Sequence, residues 1–597
     1  MKSLLPRLSF PLLLCTLLVC AQPSVCRAQK AARAQRAEED PLAATLRLAG
    51  GLEGLGKEST LTHLAFEHLH AGRLEEGVRA ASAMDDGGIK ALMLSRLANA
   101  LAEAGSLDRA AEVVEESLQM LRRAEDGHVE TEVMREIVGG EAHMPSEDFP
   151  LVRRVVVKGV PTRLLEAGRT EAAAKILSEL RSAALEPDFG DEDAALVLTG
   201  VARLYATWDA AKAAEVRAEA LAAARRAQDE YNKVTVLCEV ATAHAAAGDA
   251  RTAEALLDEA RQFASARESG RDDDLREVVR AYAAAGLTEK ALKAAREMDG
   301  EEEAFAVLEV SGKGTTPEAL KERLSRAVEV AALFKYQNER TRRLASLATL
   351  YGAGSAELLG KVEAAAVSLS DGYYRGRVLV AVGDAHAEAK RKANALDAWG
   401  RALEAARSIE LKREDLNVGD SRINDGEKLS LLGALARRLV GAGEYARAPE
   451  IARDIWAAHV RALSLAEGSP AFVKGAEQEL ARLADELTRA GRKDEALEVL
   501  GVAVVSAKSP GSGTDSYRLA AGLAALGAAY ARAGEEGRAA ARLRRALQVA
   551  AESEGSEGDK LMLLSNVGAR YAEAGVRPDA RARKSLRRIV RDVEAEQ

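Results

Sequence analysis

Few residues of this chain have the types and spacing that catalysis or metal binding requires. Its eight histidines are His63, His68, His70, His128, His143, His244, His386 and His459. No HExxH pattern occurs, and no spacing of cysteine and histidine suits zinc. The first three histidines are close in sequence, but we expect them to share no helix face with an acid at ligand spacing. The sequence therefore predicts that no metal is bound.

The remaining patterns give little support for an enzyme. The segment SGKGTT (311–316) partly matches a phosphate-binding loop, but Gly314 follows the lysine where Ser or Thr should stand. No GxSxG motif of a nucleophile elbow is present. Acidic runs such as 272–274 lack the alternating acids and the glycine of a calcium loop. We therefore expect no catalytic residue and no cofactor, although an enzyme with an unrecognised site stays open as an alternative.

A repeated phrase is the strongest signal in the chain. It consists of a short apolar helix, the dipeptide Ala-Gly and a second helix with alanine in its first turns. The clearest copies are LANALAEAGSLDRAAEVVEESL (97–118), VATAHAAAGDARTAEALLDEA (240–260), LADELTRAGRKDEALEVL (483–500) and LGAAYARAGEEGRAAARLRRAL (526–547). Self-similarity on this scale predicts a stack of helical hairpins.

The first of these copies shows how the hairpin is expected to pack. Leu94, Leu97 and Leu101 form an apolar stripe at helical spacing. Gly105 ends the first helix, where a left-handed backbone costs least without a Cβ. Ala98 and Ala110 are small enough to let the two helix axes approach closely, to about 8 Å. Leucine at either alanine should overpack the crossing and cost roughly 1–3 kcal/mol.

This phrase resembles the tetratricopeptide repeat, a helix pair of about 34 residues with small residues at the crossing. The resemblance covers roughly residues 60–590. Tyr282, Tyr530 and Tyr571 take a slot that the family often fills with Tyr, and His244 and His386 take the same slot, so we expect these two histidines to serve packing. The resemblance implies an all-α, right-handed α-solenoid of stacked antiparallel helix pairs.

Several positions depart from the family pattern. Lys390 and Trp208 replace the turn glycine in their units, and Pro161 falls inside an expected first helix. The stretches 119–160 and 300–355 fit the repeat poorly. Polar segments rich in Gly, Ser and acids, among them 138–150 and 412–427, are expected to be loops between hairpins.

The pattern predicts a linear order of segments. The predicted divisions are a signal peptide (1–28), a polar lead or linker (29–59), N-terminal repeats (60–300), degenerate repeats (301–360) and C-terminal repeats (361–590) with a capping helix to 597. The closing segment ARARKSLRRIVRDVEAEQ (580–597) is a basic amphipathic helix. We expect it to be the solvent-facing cap, with a membrane-surface or partner contact as the alternative.

The first residues have the pattern of a secretory signal peptide. Lys2 and Arg7 precede the apolar run LSFPLLLCTLLVC (8–20), and cleavage could follow Ala21 or Ala28. The run is too short for a comfortable membrane span, and no later segment is apolar enough for one. We therefore expect export to the bacterial periplasm or secretion, with no membrane span after cleavage.

Composition limits the partners. The formal net charge of −9 disfavours nucleic acid, since binding phosphates needs clustered Lys and Arg. In the family, first helices line a concave face, which implies protein partners. The candidate partner-binding residues on that face are Ser95, Asn99, Cys238, Thr242, Arg437, Asp485 and Thr488. The sequence thus predicts a non-enzymatic protein-interaction scaffold, with a structural or self-assembling spacer as the alternative.

Overall fold

The structure is a computed structural model dominated by α-helices. It describes residues 40–121, 139–145, 152–186, 189–228, 232–310, 316–417, 420–423, 425–465, 475–503 and 513–596. These ranges contain 27 α-helices. The first thirteen are α1 (Pro41–Ala49), α2 (Gly54–His70), α3 (Leu74–Ser82), α4 (Gly87–Glu103), α5 (Leu107–Leu121), α6 (Val160–Glu166), α7 (Thr170–Ala184), α8 (Asp191–Tyr205), α9 (Ala210–Arg226), α10 (Lys233–Ala246), α11 (Ala250–Ala266), α12 (Arg271–Ala284) and α13 (Thr288–Ala295).

The second half of the chain continues the series. Its helices are α14 (Gly300–Glu309), α15 (Pro317–Leu333), α16 (Gln337–Tyr351), α17 (Ala356–Ala366), α18 (Gly372–Glu388), α19 (Lys392–Arg407), α20 (Asp425–Gly441), α21 (Ala448–Leu465), α22 (Ala476–Arg489), α23 (Lys493–Val502), α24 (Gly513–Arg532), α25 (Glu536–Glu552), α26 (Glu557–Glu573) and α27 (Ala580–Glu596). Short 3₁₀ helices, Gly352–Gly354 and Tyr445–Arg447, precede α17 and α21.

The chain divides into two compact units. The central unit comprises the described residues of 72–503, and the terminal unit combines residues 40–71 with 513–596. The linear division predicted at 300 and 360 therefore does not coincide with the compact units. Within each unit, consecutive helices pack as antiparallel pairs, which confirms the predicted all-α stack of helix pairs. From α4 to α27 we call the even-numbered member of each pair the first helix and the odd-numbered member the second helix.

The first helices end in a shared hydrogen-bond pattern. In the first pair, the N–H of Ser106 donates to the carbonyl of Leu101 over 2.9 Å, and the residue between them, Gly105, has φ 84°. This is the Schellman motif, which satisfies the last carbonyls of a helix. Nine such bonds occur in the described residues, with acceptors Leu101, Leu164, His244, Tyr282, His386, Leu439, Leu487, Tyr530 and Tyr571. The predicted equivalence of His244 and His386 with the tyrosines is thereby confirmed.

Lys390 and Trp208, which replace the turn glycine in their repeats, adopt different backbone conformations. Lys390 adopts the left-handed conformation that glycine has elsewhere, with φ 59°, at a cost of about 1 kcal/mol. Trp208 does not, because its turn closes through a bond from Asp209 N to Tyr205 O (2.7 Å). Pro161 lies in the first turn of α6, where its missing N–H breaks no helical hydrogen bond.

Small residues at the crossings allow the paired helices to pack closely. Small residues at the predicted crossings are mostly buried, including Ala98, Ala110, Ala241, Ala253, Ala436, Ala484 and Ala496. The corresponding residue of the last pair, Ala580, is exposed. In the α18–α19 pair a Cβ on Gly383 would lie 2.4 Å from Trp399 Cδ1. The indole is buried, and its Nε1 donates to Asp384 Oδ1 over 3.1 Å. The large Trp399 therefore fits only because residue 383 has no side chain.

Two segments expected to be loops contain β-hairpins. Strands β1 (Gly139–Pro145) and β2 (Val152–Lys158) pair antiparallel, with Gly139 opposite Lys158. Strands β3 (Arg413–Asn417) and β4 (Asp420–Ile423) pair in the same way, with a register irregularity between Asp415 and Asn417. The loop predictions for 138–150 and 412–427 are therefore wrong where these strands lie. Each hairpin is a local insertion between helices.

The terminal unit joins the start of the described chain to its end. Helices α1 and α2 pack against α26, which also contacts α24, α25 and α27. Leu48 of α1 belongs to one apolar core with Leu547, Leu564 and Ile589. Glu67 of α2 accepts a hydrogen bond from Asn566 Nδ2 over 3.2 Å, a contact between residues 499 positions apart.

This packing corrects the prediction of a polar lead over 29–59. Residues 41–49 form a helix whose Leu42, Ala44 and Leu48 are buried. Its start carries a sequence signal, since Asp40 accepts from Leu42 N (3.0 Å) and Pro41 occupies the first turn. Residues 29–39 lie outside the described residues.

We expect Gly383→Ala to destabilise the α18–α19 pair by about 2 kcal/mol, since the new methyl group overlaps the indole of Trp399. Gly400→Ala is the matched control. It lies in α19 with no atom within 4 Å of a new Cβ, so the change should stabilise the helix by up to about 1 kcal/mol. Thermal unfolding measures the stability of both variants. Equal changes in stability would contradict the packing argument.

We expect Leu48→Ala to destabilise the terminal unit by about 2–4 kcal/mol, because it empties a buried site against α26 and α27. Hydrogen exchange measured on peptides from 557–596 should accelerate. The neighbouring Arg47→Ala removes only an exposed ion pair with Glu594 (2.7 Å) and should change exchange by less than about 0.5 kcal/mol. Unchanged exchange in the Leu48 variant would show that α1 is not part of this core.

Candidate interaction surfaces

The reactive side chains do not converge on a catalytic or metal site in the described part of the chain. There, no group of three or more His, Cys, Asp or Glu is placed to hold a metal ion. Cys238 is a free, buried thiol whose pKa is raised well above its usual value by burial and by the nearby carboxylate of Glu277. A thiol in this state is a poor nucleophile.

The cluster around His63 differs from the expectation. Glu67 follows one turn later, with 3.7 Å between His63 Nε2 and Glu67 Oε1, so an acid does share this helix face. Burial lowers the pKa of His63, although Glu67 opposes the shift. Glu67 also accepts the hydrogen bond from Asn566, and Nη2 of Arg570 lies 3.8 Å from Glu67 Oε2. The cluster links α2 to α26 and brings together no further metal ligand among the described residues.

Two further predictions concern segments that lie mostly or wholly outside the described residues. The phosphate-loop candidate 311–316 lies outside the described residues except for Thr316, whose hydroxyl accepts from Ala319 N and caps α15. The predicted signal peptide also lies outside them. In the helices that the structure describes, none combines the length and the apolarity needed to cross a membrane.

Three of the seven candidate partner-binding residues are inaccessible. Ser95 and Cys238 are buried, and Asn99 is only 8% exposed. The hydroxyl of Ser95 donates to the carbonyl of Leu92 over 2.8 Å. First helices have neighbours on several sides, so positions that local periodicity assigns to an outward face are covered. The prediction that these three residues present side chains to a partner therefore needs correction.

The other four candidates are half-buried, and the structure does not gather the seven into one site. Thr242 accepts from Arg203 Nη2 (2.9 Å) and donates to the carbonyl of Glu239 (2.8 Å). Thr488 donates to the carbonyl of Ala484 over 2.8 Å. The candidates fall on α4, on α10, and on the neighbouring helices α20 and α22, where Arg437 and Asp485 lie. Whether these four contact a partner stays a prediction.

Arg437 has a structural role that the sequence pattern did not reveal. Its Nη1 lies 2.9 Å from Oε2 of Glu479, a carboxylate whose side chain is 5% exposed. A Cβ on Gly433 would lie 2.5 Å from the same oxygen, so Gly433 provides the space for Glu479. The pair joins α20 to α22, two successive first helices.

Similar ion pairs join other first helices of the central unit. Arg438 of α20 donates two bonds to Asp384 of α18, at 2.7 and 2.8 Å. Arg203 of α8 pairs with Glu239 of α10 at 2.8 Å. Glu302 of α14 pairs with Arg276 of α12 and Arg343 of α16. The polar residues of this face therefore hold neighbouring repeats in register, which explains why they share no residue type.

Exposed apolar residues concentrate elsewhere, at one edge of the poorly fitting repeats. Leu333 is 71% exposed, Tyr336 62% and Val367 68%. Leu333 ends α15 and Val367 caps the end of α17, and these two helices pack side by side. The loop after Val367 returns to the start of α16, where Gln337 Oε1 accepts from Asp371 N (3.2 Å). We call Leu333, Tyr336 and Val367 the apolar edge.

The apolar edge has the composition of a protein contact. Tyrosine is enriched at protein interfaces and among their hot spots, and neighbouring exposed apolar side chains are typical of an interaction site. Lys335 Nζ lies 5.3 Å from the centre of the Tyr336 ring, which adds a cation beside the aromatic face. No chemical group near these residues suggests a reaction; the arrangement favours binding.

Comparison with known proteins does not assign the chain to a family. No family model and no curated protein matches it. Among solved structures it is similar to Ton1535 from Thermococcus onnurineus NA1, at 15% identity over 60% of this chain and 94% of that chain, with a TM-score of 0.25. It is also similar to a chain of Naa15/Naa10 bound to HypK-THB, at 13% identity over 90% of this chain and 80% of that chain, with a TM-score of 0.27. UNC-45 from Drosophila melanogaster is similar at 12% identity over 93% of this chain and 81% of that chain, with a TM-score of 0.30. Similarities this low carry no argument about fold or function.

We expect Arg437→Ala to destabilise the α20–α22 region by about 3 kcal/mol, because it leaves the carboxylate of Glu479 buried without its closest cation. Arg482→Ala is the control, since Arg482 is 59% exposed and lies 3.7 Å from the other oxygen of Glu479. Its loss should cost less than about 0.5 kcal/mol. Hydrogen exchange of peptides from 425–489 measures both, and similar costs would contradict a buried role for Arg437.

Proposed function

We propose that this chain is a non-enzymatic protein-interaction scaffold, exported to the bacterial periplasm or envelope. The observation that carries the proposal is the apolar edge, three strongly exposed apolar side chains on two adjacent helical repeats. Stacked helix pairs supply a rigid support for such a surface, because each repeat is fixed by its neighbours. Export is supported by the signal-peptide pattern of residues 1–28.

The position of the edge within the repeat series supports this interpretation. Leu333 and Tyr336 lie in 300–355, one of the two stretches that fit the repeat poorly, and Val367 lies just beyond it. Three large apolar side chains exposed at one edge leave apolar surface in water, and removing such surface from water is favourable by about 25 cal/mol per Å². Covering them with a partner recovers that free energy.

The test uses chemical crosslinking in intact cells, followed by capture of the tagged chain and mass spectrometry. We expect Leu333→Asp with Val367→Asp to reduce recovery of a specific partner at least about tenfold, since covering an unpaired carboxylate in an apolar contact costs more than about 1 kcal/mol at each position. Leu350→Asp is the control. Leu350 is 71% exposed at the opposite end of α16, and its variant should recover the partner normally.

Two results would contradict the proposal. Equal recovery by the double variant and the control would remove the apolar edge from the interface. Concentration-dependent oligomers that the double variant abolishes, with no other protein captured, would favour the self-assembling spacer.

A further inference from the structure

A stripe of cations runs along the outside of the last helix. Arg581, Lys584, Arg588 and Arg591 are all exposed, and their spacing of three, four and three residues places them on one face of α27. At 1.5 Å per residue the stripe is about 15 Å long. Arg577 and Arg587 flank it and are also exposed. We call Arg581, Lys584, Arg588 and Arg591 the basic stripe.

The opposite face of α27 is already used for packing. Ala582, Leu586, Ile589 and Val593 are fully buried in the core of the terminal unit. The helix is therefore held in a fixed orientation, with its cations directed away from that core. Because the apolar residues of α27 are buried in the core, they cannot insert into an apolar environment outside the protein. The exposed cations can therefore attract a ligand only through their charge.

The acids of this segment are mostly neutralised from other helices. Asp579 pairs with Arg544 of α25 at 2.6 Å, and Glu594 pairs with Arg47 of α1 at 2.7 Å. Asp592 is the acid next to the stripe, at 3.7 Å from Arg588 and 3.8 Å from Arg591. In the described residues, no carboxylate lies within ion-pair distance of Arg581 or Lys584. The stripe thus keeps a net positive charge in a chain whose formal charge is −9.

We propose that the basic stripe binds the surface of an anionic lipid bilayer. Four long cationic side chains on one straight helix face match an extended, evenly charged plane, and each contributes about 1 kcal/mol near anionic lipid. The stripe has no aromatic side chain on which bases could stack, which disfavours single-stranded nucleic acid. It also has no tyrosine or tryptophan, the aromatic anchors that accompany arginine in many protein interfaces.

Binding of this kind is peripheral and reversible. Because the apolar face of α27 stays in the core, the bilayer is contacted at its headgroups and not entered. The contact would hold the terminal unit at a membrane surface, and it involves no residue of the apolar edge. The two surfaces have separate residues, so each can be removed without the other.

The test is co-sedimentation with large unilamellar vesicles of phosphatidylcholine containing one third phosphatidylglycerol, against vesicles of phosphatidylcholine alone. The chain is used without residues 1–28, so that the apolar run 8–20 cannot enter the bilayer. We expect binding to the anionic vesicles at about 0.1 M salt and its loss at about 1 M salt, where charges are screened within a few ångströms.

The decisive variant is Arg581→Gln, Lys584→Gln and Arg588→Gln combined. Glutamine keeps helix propensity, and we expect partitioning to fall about 100-fold. The matched control is Arg225→Gln, Arg251→Gln and Arg296→Gln, which removes equal charge from exposed positions elsewhere in the chain and should leave partitioning within about twofold. Arg581→Lys with Arg588→Lys should also bind normally, which separates loss of charge from damage to the helix.

Three outcomes would overturn the proposal. The first is no binding to anionic vesicles at low salt. The second is an equal loss in both triple variants, which would make net charge the cause. The third is binding to an RNA oligonucleotide or a polyglutamate peptide, but not to vesicles, that the stripe variant abolishes; the stripe would then belong to that polyanion.

Discussion

The close approach of two helices within each pair is the constraint on which the rest of this structure depends. It requires a residue without volume at the crossing and a turn that reverses the chain within a few residues. Gly383 shows the first requirement, since any side chain there would occupy the space of the Trp399 indole. The bond from Ser106 N to Leu101 O shows the second. Together they fix where every second helix begins and which side of it faces its partner.

Once the pairs are fixed, their stacking becomes a problem of register. A buried charge tolerates only the position in which its partner meets it, so a buried ion pair between two helices specifies their register. Arg437 with the buried Glu479 supplies such a position between α20 and α22, whereas Arg438 with Asp384, whose side chain is 40% exposed, adds a weaker link between α18 and α20. A buried ion pair adds little net stability because desolvation offsets its attraction, but breaking it is costly. We therefore interpret these pairs as devices that specify neighbours.

Local sequence was sufficient to predict what local physics decides. The turn glycines, the crossing alanines and the equivalence of His244 with tyrosine all follow from spacing within one repeat. The role of α1 did not follow, although Asp40 and Pro41 signal a helix start, because its packing partner in α26 lies about 500 residues further along the chain. The burial of Ser95 and Cys238 was missed for the same reason, since periodicity within a helix cannot show which neighbours cover it. The hairpins β1–β2 and β3–β4 lay in polar stretches that composition assigns to loops.

The same distinction explains where function can reside in a repeat fold. Positions that set crossings or register are committed to packing, so a recognition surface must use what those constraints leave free. The apolar edge uses the ends of α15 and α17, beyond the last buried turn of each helix. The basic stripe uses the outward side of α27, whose inward side is fully packed. The first surface attracts by removing apolar area from water, which salt does not weaken, and the second attracts by charge, which salt does weaken. Neither surface shares a residue with the other, so a substitution that removes one attraction leaves the other unchanged.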